Sequence, residues 1–259
     1  MCVAIVQFRP PTGPPVVVGF NRDEVPARDA GMPAVFAWCG RQVLAAREPL
    51  YGGTWLGLND AGMVVGLLDR APSRDPKSPD SKPQAAGTPR SRGLLVLDCL
   101  ARTGVQGVEE NLHCLAERYE PFNLFAVDAK SALAAHYRGA GPCEVLHLSP
   151  GLHVFAHGEV DDLHNPKVAR VYSACRRGEG GEQPDWMAAF ASCLSMHDAD
   201  ATSHASPCRH GAGYRTLCST VLALESWHPL RGRFLHAPGP PCTTAYQDLT
   251  ALMGELCRP

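Results

Sequence analysis

The first eight residues are almost unbroken in apolar character. Cys2-Val3-Ala4-Ile5-Val6-Gln7-Phe8 is rich in β-branched side chains, as expected of a central strand covered on both faces. A Pro/Gly-rich stretch over 9–15 follows, and then Val16-Val17-Val18-Gly19-Phe20. Together they predict a hairpin whose far end brings Asn21 to Glu24 close to Cys2. Further strands are expected over 42–47, 54–58 and 63–68, with Asn59-Asp60-Ala61-Gly62 as the turn between the last two.

Residues 70–91 break this pattern with five prolines among Ser, Lys, Asp and Arg, and read as a loop. The spacing changes to helical over 92–103 and 105–119. Leu94, Leu95, Leu97 and Leu100 share one apolar side of the first segment, and Leu112 and Leu115 that of the second. Strands return over 122–127, 132–137, 144–148 and 153–156, a meander-like series. Helices are expected over 167–175 and 185–196, the latter with Pro184 at its first turn. Residues 197–213 form a polar loop. A strand pair over 218–225 and 233–237 flanks Trp227-His228-Pro229, and a short helix closes the chain over 246–257. No repeat and no domain boundary is visible, so 1–259 reads as one domain of the α+β class.

Composition narrows the function classes. The 259 residues carry a net charge of −2, which gives no electrostatic footprint for nucleic acid. No apolar run is long enough for a transmembrane segment, and the first twenty residues lack a secretory pattern, so a cytoplasmic location is expected. The 25 Gly and 23 Pro favour turns over long helices. Eleven cysteines, an odd number without a C-x-x-C pair, read mostly as reduced, buried side chains. His204, Cys208 and His210 are close in sequence, but four ligands at regular zinc spacing do not assemble, so no metal site is expected.

Chemistry enters at Cys2. Removal of Met1 would leave a thiol and an α-amine on one carbon, the nucleophile and base of N-terminal-nucleophile catalysis. An α-amine titrates at roughly 7.7 to 8.0 and can take the thiol's proton near neutrality. Cys2 can equally be the start of a buried strand. Asp23 can position the amine or cap a turn. Arg22 and Glu24, one step out of phase with Asp23, are expected to point to the other side and form a surface or interdomain ion pair. Trp55 after Gly52-Gly53-Thr54 suits a core or binding wall. Asn123, polar within an apolar strand, must be hydrogen-bonded if buried.

Met1-Cys2, Asn21-Arg22-Asp23-Glu24, Gly52-Gly53-Thr54-Trp55-Leu56-Gly57, Ser91-Arg92-Gly93 and Phe122-Asn123-Leu124 together resemble, in order and spacing, the NRDE family. The resemblance implies an Ntn-hydrolase-like αββα four-layer sandwich, related to cysteine amidases such as penicillin V acylase and bile salt hydrolase. Gly19-Phe20-Asn21-Arg22-Asp23 looks like their Gly-Arg-Asn-x-Asp, with Phe20 in place of the arginine. Where the family usually has asparagines suited to an oxyanion hole, this chain has Asp69 and His157; losing one such donor typically lowers turnover about 100- to 1,000-fold. The resemblance thus implies catalytic roles at Cys2, Asp23 and His157, and binding roles at Asn21, Arg22, Trp55 and Asn123. Two classes of function follow. One is a trafficking or homeostasis protein, associated with Golgi organisation, secretion, and the Golgi or mitochondria as location, that holds a small hydrophobic molecule, haem or an acyl lipid, and needs no cofactor. The other is an amidase or acyltransferase cleaving a C–N amide bond through Cys2.

Overall fold

The computed structural model describes residues 2–28, 31–70, 89–177, 185–200, 203–225 and 231–256. Strands β1 (Val3–Phe8), β2 (Val16–Glu24), β10 (Gly151–Phe155), β11 (Arg215–Leu224), β12 (Gly232–Ala237) and β13 (Gln247–Asp248) form a six-stranded sheet in the order β10-β1-β2-β11-β12-β13. Strands β3 (Ala34–Trp38), β4 (Arg41–Ala45), β5 (Leu56–Asn59), β6 (Val64–Asp69), β7 (Phe122–Val127), β8 (Ala132–Tyr137) and β9 (Glu144–His147) form a seven-stranded sheet in sequence order. Every pairing is antiparallel.

The two sheets pack face to face, and helices cover the outer faces. Helices α1 (Arg92–Leu100) and α2 (Val105–His113) lie on the seven-stranded sheet; α3 (Pro166–Arg177) and α4 (Trp186–Leu194) lie on the six-stranded one. This is the αββα sandwich of the Ntn-hydrolase-like fold. Period-two alternation sorts each central strand between two cores. In β1, Cys2, Ala4, Val6 and Phe8 enter the layer between the sheets, whereas Val3 and Ile5 pack against α3 and α4. In β7, Phe125 and Val127 face the inter-sheet layer and Phe122, Leu124 and Ala126 face α1 and α2. Burial on both faces is what removes polar residues from these strands.

Three expectations are corrected. β10 does not continue the meander but crosses to pair with β1, matching Ala4 with Phe155. The closing helix over 246–257 is instead the short strand β13 and a 3₁₀ helix at Thr250–Glu255, because Leu249 donates its backbone N–H to Phe234 and so ties the segment to β12. The helix expected from Asp185 starts one residue later, with the Asp185 carboxylate accepting from the Ala188 N–H as its cap. β3 was not anticipated. Pro184, Trp227-His228-Pro229 and most of the proline-rich loop, 71–88, lie outside the described residues. Among the described residues no helix is long and apolar enough to cross a membrane.

Two of the motif segments meet in space. A Cβ added to Gly53 would lie 2.5 Å from the Gly93 carbonyl carbon, and the Thr54 N–H donates to the Gly93 carbonyl at 3.1 Å. The loop before β5 and the first turn of α1 can approach this closely only because neither carries a side chain. Gly53→Ala must push backbone against backbone. We expect it to destabilise the fold by about 1–3 kcal/mol, read as a lowered midpoint in urea unfolding.

Candidate functional site

The β1–β2 register pairs Val3 with Asn21, and one further step sets Cys2 opposite Arg22. Direct partners on antiparallel strands share a face, so the Cys2 thiol and the Arg22 guanidinium both point to the inter-sheet side. Asp23 and Asn21 point to the helix side. The sequence reading of alternation was right, but the faces are exchanged: Arg22 and Glu24 line the cleft with Cys2, and the Arg22 side chain is buried rather than exposed.

Cys2 Sγ accepts from the Asp23 N–H at 3.3 Å and lies 3.6 Å from the Asp23 carbonyl. Burial, then the charges of Asp23 and Asp69, push the thiol up to about 12. Above it opens a cleft of roughly 420 Å³ whose walls include Arg22, Trp55, Leu67, Asp69 and Arg92. The Arg22 guanidinium lies over the Trp55 ring, 4.3 Å from its centroid, and donates to the Arg28 carbonyl at 2.9 Å. Arg28 pairs with Glu24 at 2.9 Å. Asp69, at the end of β6, is held by Arg92 at 2.9 Å, and Arg92 also donates to the Pro121 carbonyl. The arginine of Ser91-Arg92-Gly93 thereby fixes this carboxylate in the cleft.

Behind Cys2 lies a dry polar cluster. The Thr216 hydroxyl donates to Asp23 Oδ1 at 2.7 Å, a contact across the β2–β11 register that pairs Thr216 with Asp23. Lys167, in the first turn of α3, places Nζ 3.7 Å from Asp23 Oδ2, with both side chains at most 1% exposed. Burial lowers the Lys167 ammonium and the Asp23 charge partly restores it. Thr216 and Lys167 were missed in the sequence. The Asn165-Pro166-Lys167 segment was a usable signal for the lysine; nothing local marks the threonine. Burial and the charges of Cys2 and Asp69 raise the phenol of Tyr214, another residue the sequence did not mark.

The other candidates separate from the cleft. Asn21 donates to the carbonyls of Leu194 (2.8 Å) and Pro207 (3.0 Å), tying β2 to the end of α4. Asn123 donates to the carbonyls of Ala156 (2.8 Å) and Gly158 (2.7 Å), accepts from Arg70 at 3.0 Å and meets His136 Nδ1 at 2.8 Å. Both act as structural stitches in this arrangement. His157 follows β10 and does not line the cleft; its buried Nδ1 has no hydrogen-bond partner among the described residues. Burial first, and then the nearby Lys167, keep its imidazole neutral.

A family model described as Transport and Golgi organisation 2 matches residues 1–226. A search of curated proteins finds no match. Among solved structures, a Caenorhabditis elegans N-acylethanolamine-hydrolyzing acid amidase ortholog superposes with a TM-score of 0.58 at 13% identity, covering 86% of this chain and 92% of that one. Penicillin V acylase from Agrobacterium tumefaciens gives 0.60 at 16%, with 96% and 86% covered. A conjugated bile acid hydrolase from Clostridium perfringens, in its C2A form, gives 0.59 at 12%, with 97% and 93% covered. At these identities the likeness is one of fold, and it bears out the architecture expected from the motifs.

Proposed function

This chain belongs to the Transport and Golgi organisation 2 family, and from that premise we propose that it serves trafficking or homeostasis by holding an amphipathic molecule, haem or an acyl lipid, in the cleft above Cys2. The observation that carries this reading is Asp69, a carboxylate clamped by Arg92 in the same cleft as the thiol. An amidase must stabilise negative charge on the carbonyl oxygen with aimed donors. An ionised carboxylate offers only acceptors. The arrangement suits retention instead: Trp55 and Leu67 offer apolar wall, and Arg28 and Arg92 can exchange Glu24 and Asp69 for the carboxylate of a head group. The cleft volume is within the range of small-molecule sites, about 300–1,000 Å³. Two of the similar structures are named for an N-acylethanolamine and for conjugated bile acid, molecules that join an apolar body to a polar head.

The test is titration of the reduced full chain with haem, read by its Soret band, and with a fluorescent fatty acid. Saturable one-to-one binding is expected for one of them, weakened about 10-fold or more by Trp55→Ala, as for an aromatic anchor. Binding that neither saturates nor responds to Trp55→Ala removes the proposal.

A second reading, an amidase or acyltransferase acting through Cys2, is favoured by the buried Asp23–Thr216–Lys167 cluster directly behind the nucleophile position. In it the α-amine freed by loss of Met1 takes the thiol proton, Asp23 positions that amine, and the thioester is resolved by water or another nucleophile. Release of amine from N-acyl amides, lost in Cys2→Ser, would replace the first reading with this one.

A further inference from the structure

Away from the cleft lining, the loop between α4 and β11 and the loop between β12 and β13 bring together two thiols and two imidazoles. Cys208 and His210 belong to the segment leading into β11, Cys242 to the turn after β12 closed by Thr243 and Thr244 N–H groups on the Pro240 carbonyl, and His197 to the exit from α4. Cys208 Sγ lies 3.6 Å from Cys242 Sγ and 3.8 Å from His210 Nε2, and Cys242 Sγ lies 3.1 Å from His210 Nε2. Ligand atoms of His197, His210 and Cys242 all fall within 4.8 Å of one another. The His197 and His210 rings meet edge to face, with centroids 4.9 Å apart.

These separations have a chemical meaning. With bonds of about 2.3 Å to sulfur and about 2.0 Å to nitrogen, a tetrahedral zinc ion sets sulfur atoms about 3.8 Å apart and sulfur and nitrogen about 3.5 Å apart. The triad of Cys208, His210 and Cys242 has edges of 3.1 to 3.8 Å, and His197, grouped with His210 and Cys242 but not with Cys208, would swing in to close the fourth corner. Its Nδ1 lies 3.3 Å from the Asp198 carbonyl, the kind of outer contact that fixes a ligating histidine through its other nitrogen. Two thiolates with two imidazoles select a borderline-soft ion over magnesium or calcium. The sequence concealed the set because Cys242 lies on another loop, 34 residues beyond Cys208, and His204, the apparent third ligand, is exposed and takes no part.

We propose that Cys208, His210, Cys242 and His197 form a structural zinc site that clamps the loop after α4 to the turn after β12. The clamp reaches the candidate functional site through one residue. Arg209, between two of the ligands, donates its backbone N–H to the Thr216 hydroxyl at 2.9 Å, and that hydroxyl holds Asp23 at 2.7 Å. The zinc would therefore stabilise the support behind Cys2 without touching the cleft.

The experiment is titration of reduced, chelator-stripped full-length protein with zinc against a chromogenic competitor, with cobalt as spectroscopic stand-in. One equivalent is expected, with the intense visible bands of tetrahedral cobalt and a thiolate charge-transfer band. Cys242→Ser should weaken uptake at least about 100-fold, while Cys39→Ser, on the exposed β3–β4 turn, leaves it unchanged. His197→Ala, at the most exposed ligand, should lower affinity but keep the thiolate band, so the proposal stays testable if a cysteine variant fails to fold. Uptake equal in wild type and Cys242→Ser, cobalt spectra without a thiolate band, or a Cys208–Cys242 disulfide in freshly isolated protein would each overturn it.

Discussion

Lys167→Met is expected to destabilise the protein by about 3–5 kcal/mol, because it leaves the Asp23 carboxylate in a site closed to water without its neighbouring cation. Both side chains of the pair are essentially unexposed, and the Thr216 hydroxyl brings no charge to replace the ammonium. The measurement is urea unfolding followed by far-ultraviolet circular dichroism. Asp23→Asn combined with Lys167→Met should recover much of the loss, since an amide and a thioether need no counter-charge there. The pH profile supplies a second reading. Burial lowers the Lys167 ammonium below its ordinary value of 10.5. Between the lowered value and 10.5 the unfolded chain holds a proton that the folded chain has released, so this group makes stability rise with pH across that window. Lys167→Met should remove that part of the slope. A variant as stable as wild type would show that the cluster behind Cys2 is not held by charge.

The second large effect concerns the thiol itself. With its ionisation raised by about three units, from 9.0 to about 12, Cys2 carries about a thousandfold less thiolate at neutral pH than an ordinary thiol. Each thiolate is more nucleophilic by a factor of about 15–30, which offsets part of that loss. Cys2 should therefore react with a small disulfide reagent about 30- to 60-fold more slowly than an ordinary thiol, with limited access adding to the deficit. Peptide mass mapping over time, with exposed Cys39 and Cys114 as internal references, gives the ratio. Asp69→Asn removes one of the charges that raise the thiol and should accelerate Cys2 alone. Labelling of Cys2 ahead of both references would instead mark an activated nucleophile and favour the amidase reading.

What could be read in the sequence follows a physical division. β7 and β8 were placed to the residue, and β1 nearly so, because strands buried on both faces tolerate almost no polar side chains. β3 escaped because it is an edge strand with half-exposed faces, where alternation carries little signal. The last segment has no proline and a single glycine, Gly254, and its contact with β12 decides its form. At the site, the hairpin that joins Cys2 to Asp23 was legible because it is local. The inversion of Arg22 and Asp23 was not, since alternation gives two faces without saying which one meets the other sheet. Thr216 was beyond reach for a different reason: it acts from 193 residues away through a register that no neighbouring residue encodes.

That same distance shapes how the chain must assemble. The seven-stranded sheet runs in sequence order from Ala34 to His147, so each strand finds its partner as soon as it is made. β2 has no such convenience, because its second neighbour is β11, ending at Leu224. At a synthesis rate of about 5–20 residues per second, the β1–β2 hairpin stands for many seconds with its outer hydrogen-bonding edges open, that of β1 until β10 is made and that of β2 until β11 is made, and apolar side chains on both faces. An unpaired edge of that kind templates association with other chains. A truncation before Arg215 would make the delay permanent. The residues that line the cleft are thus all made within the first 120, whereas the Thr216 support behind Cys2 arrives only with β11.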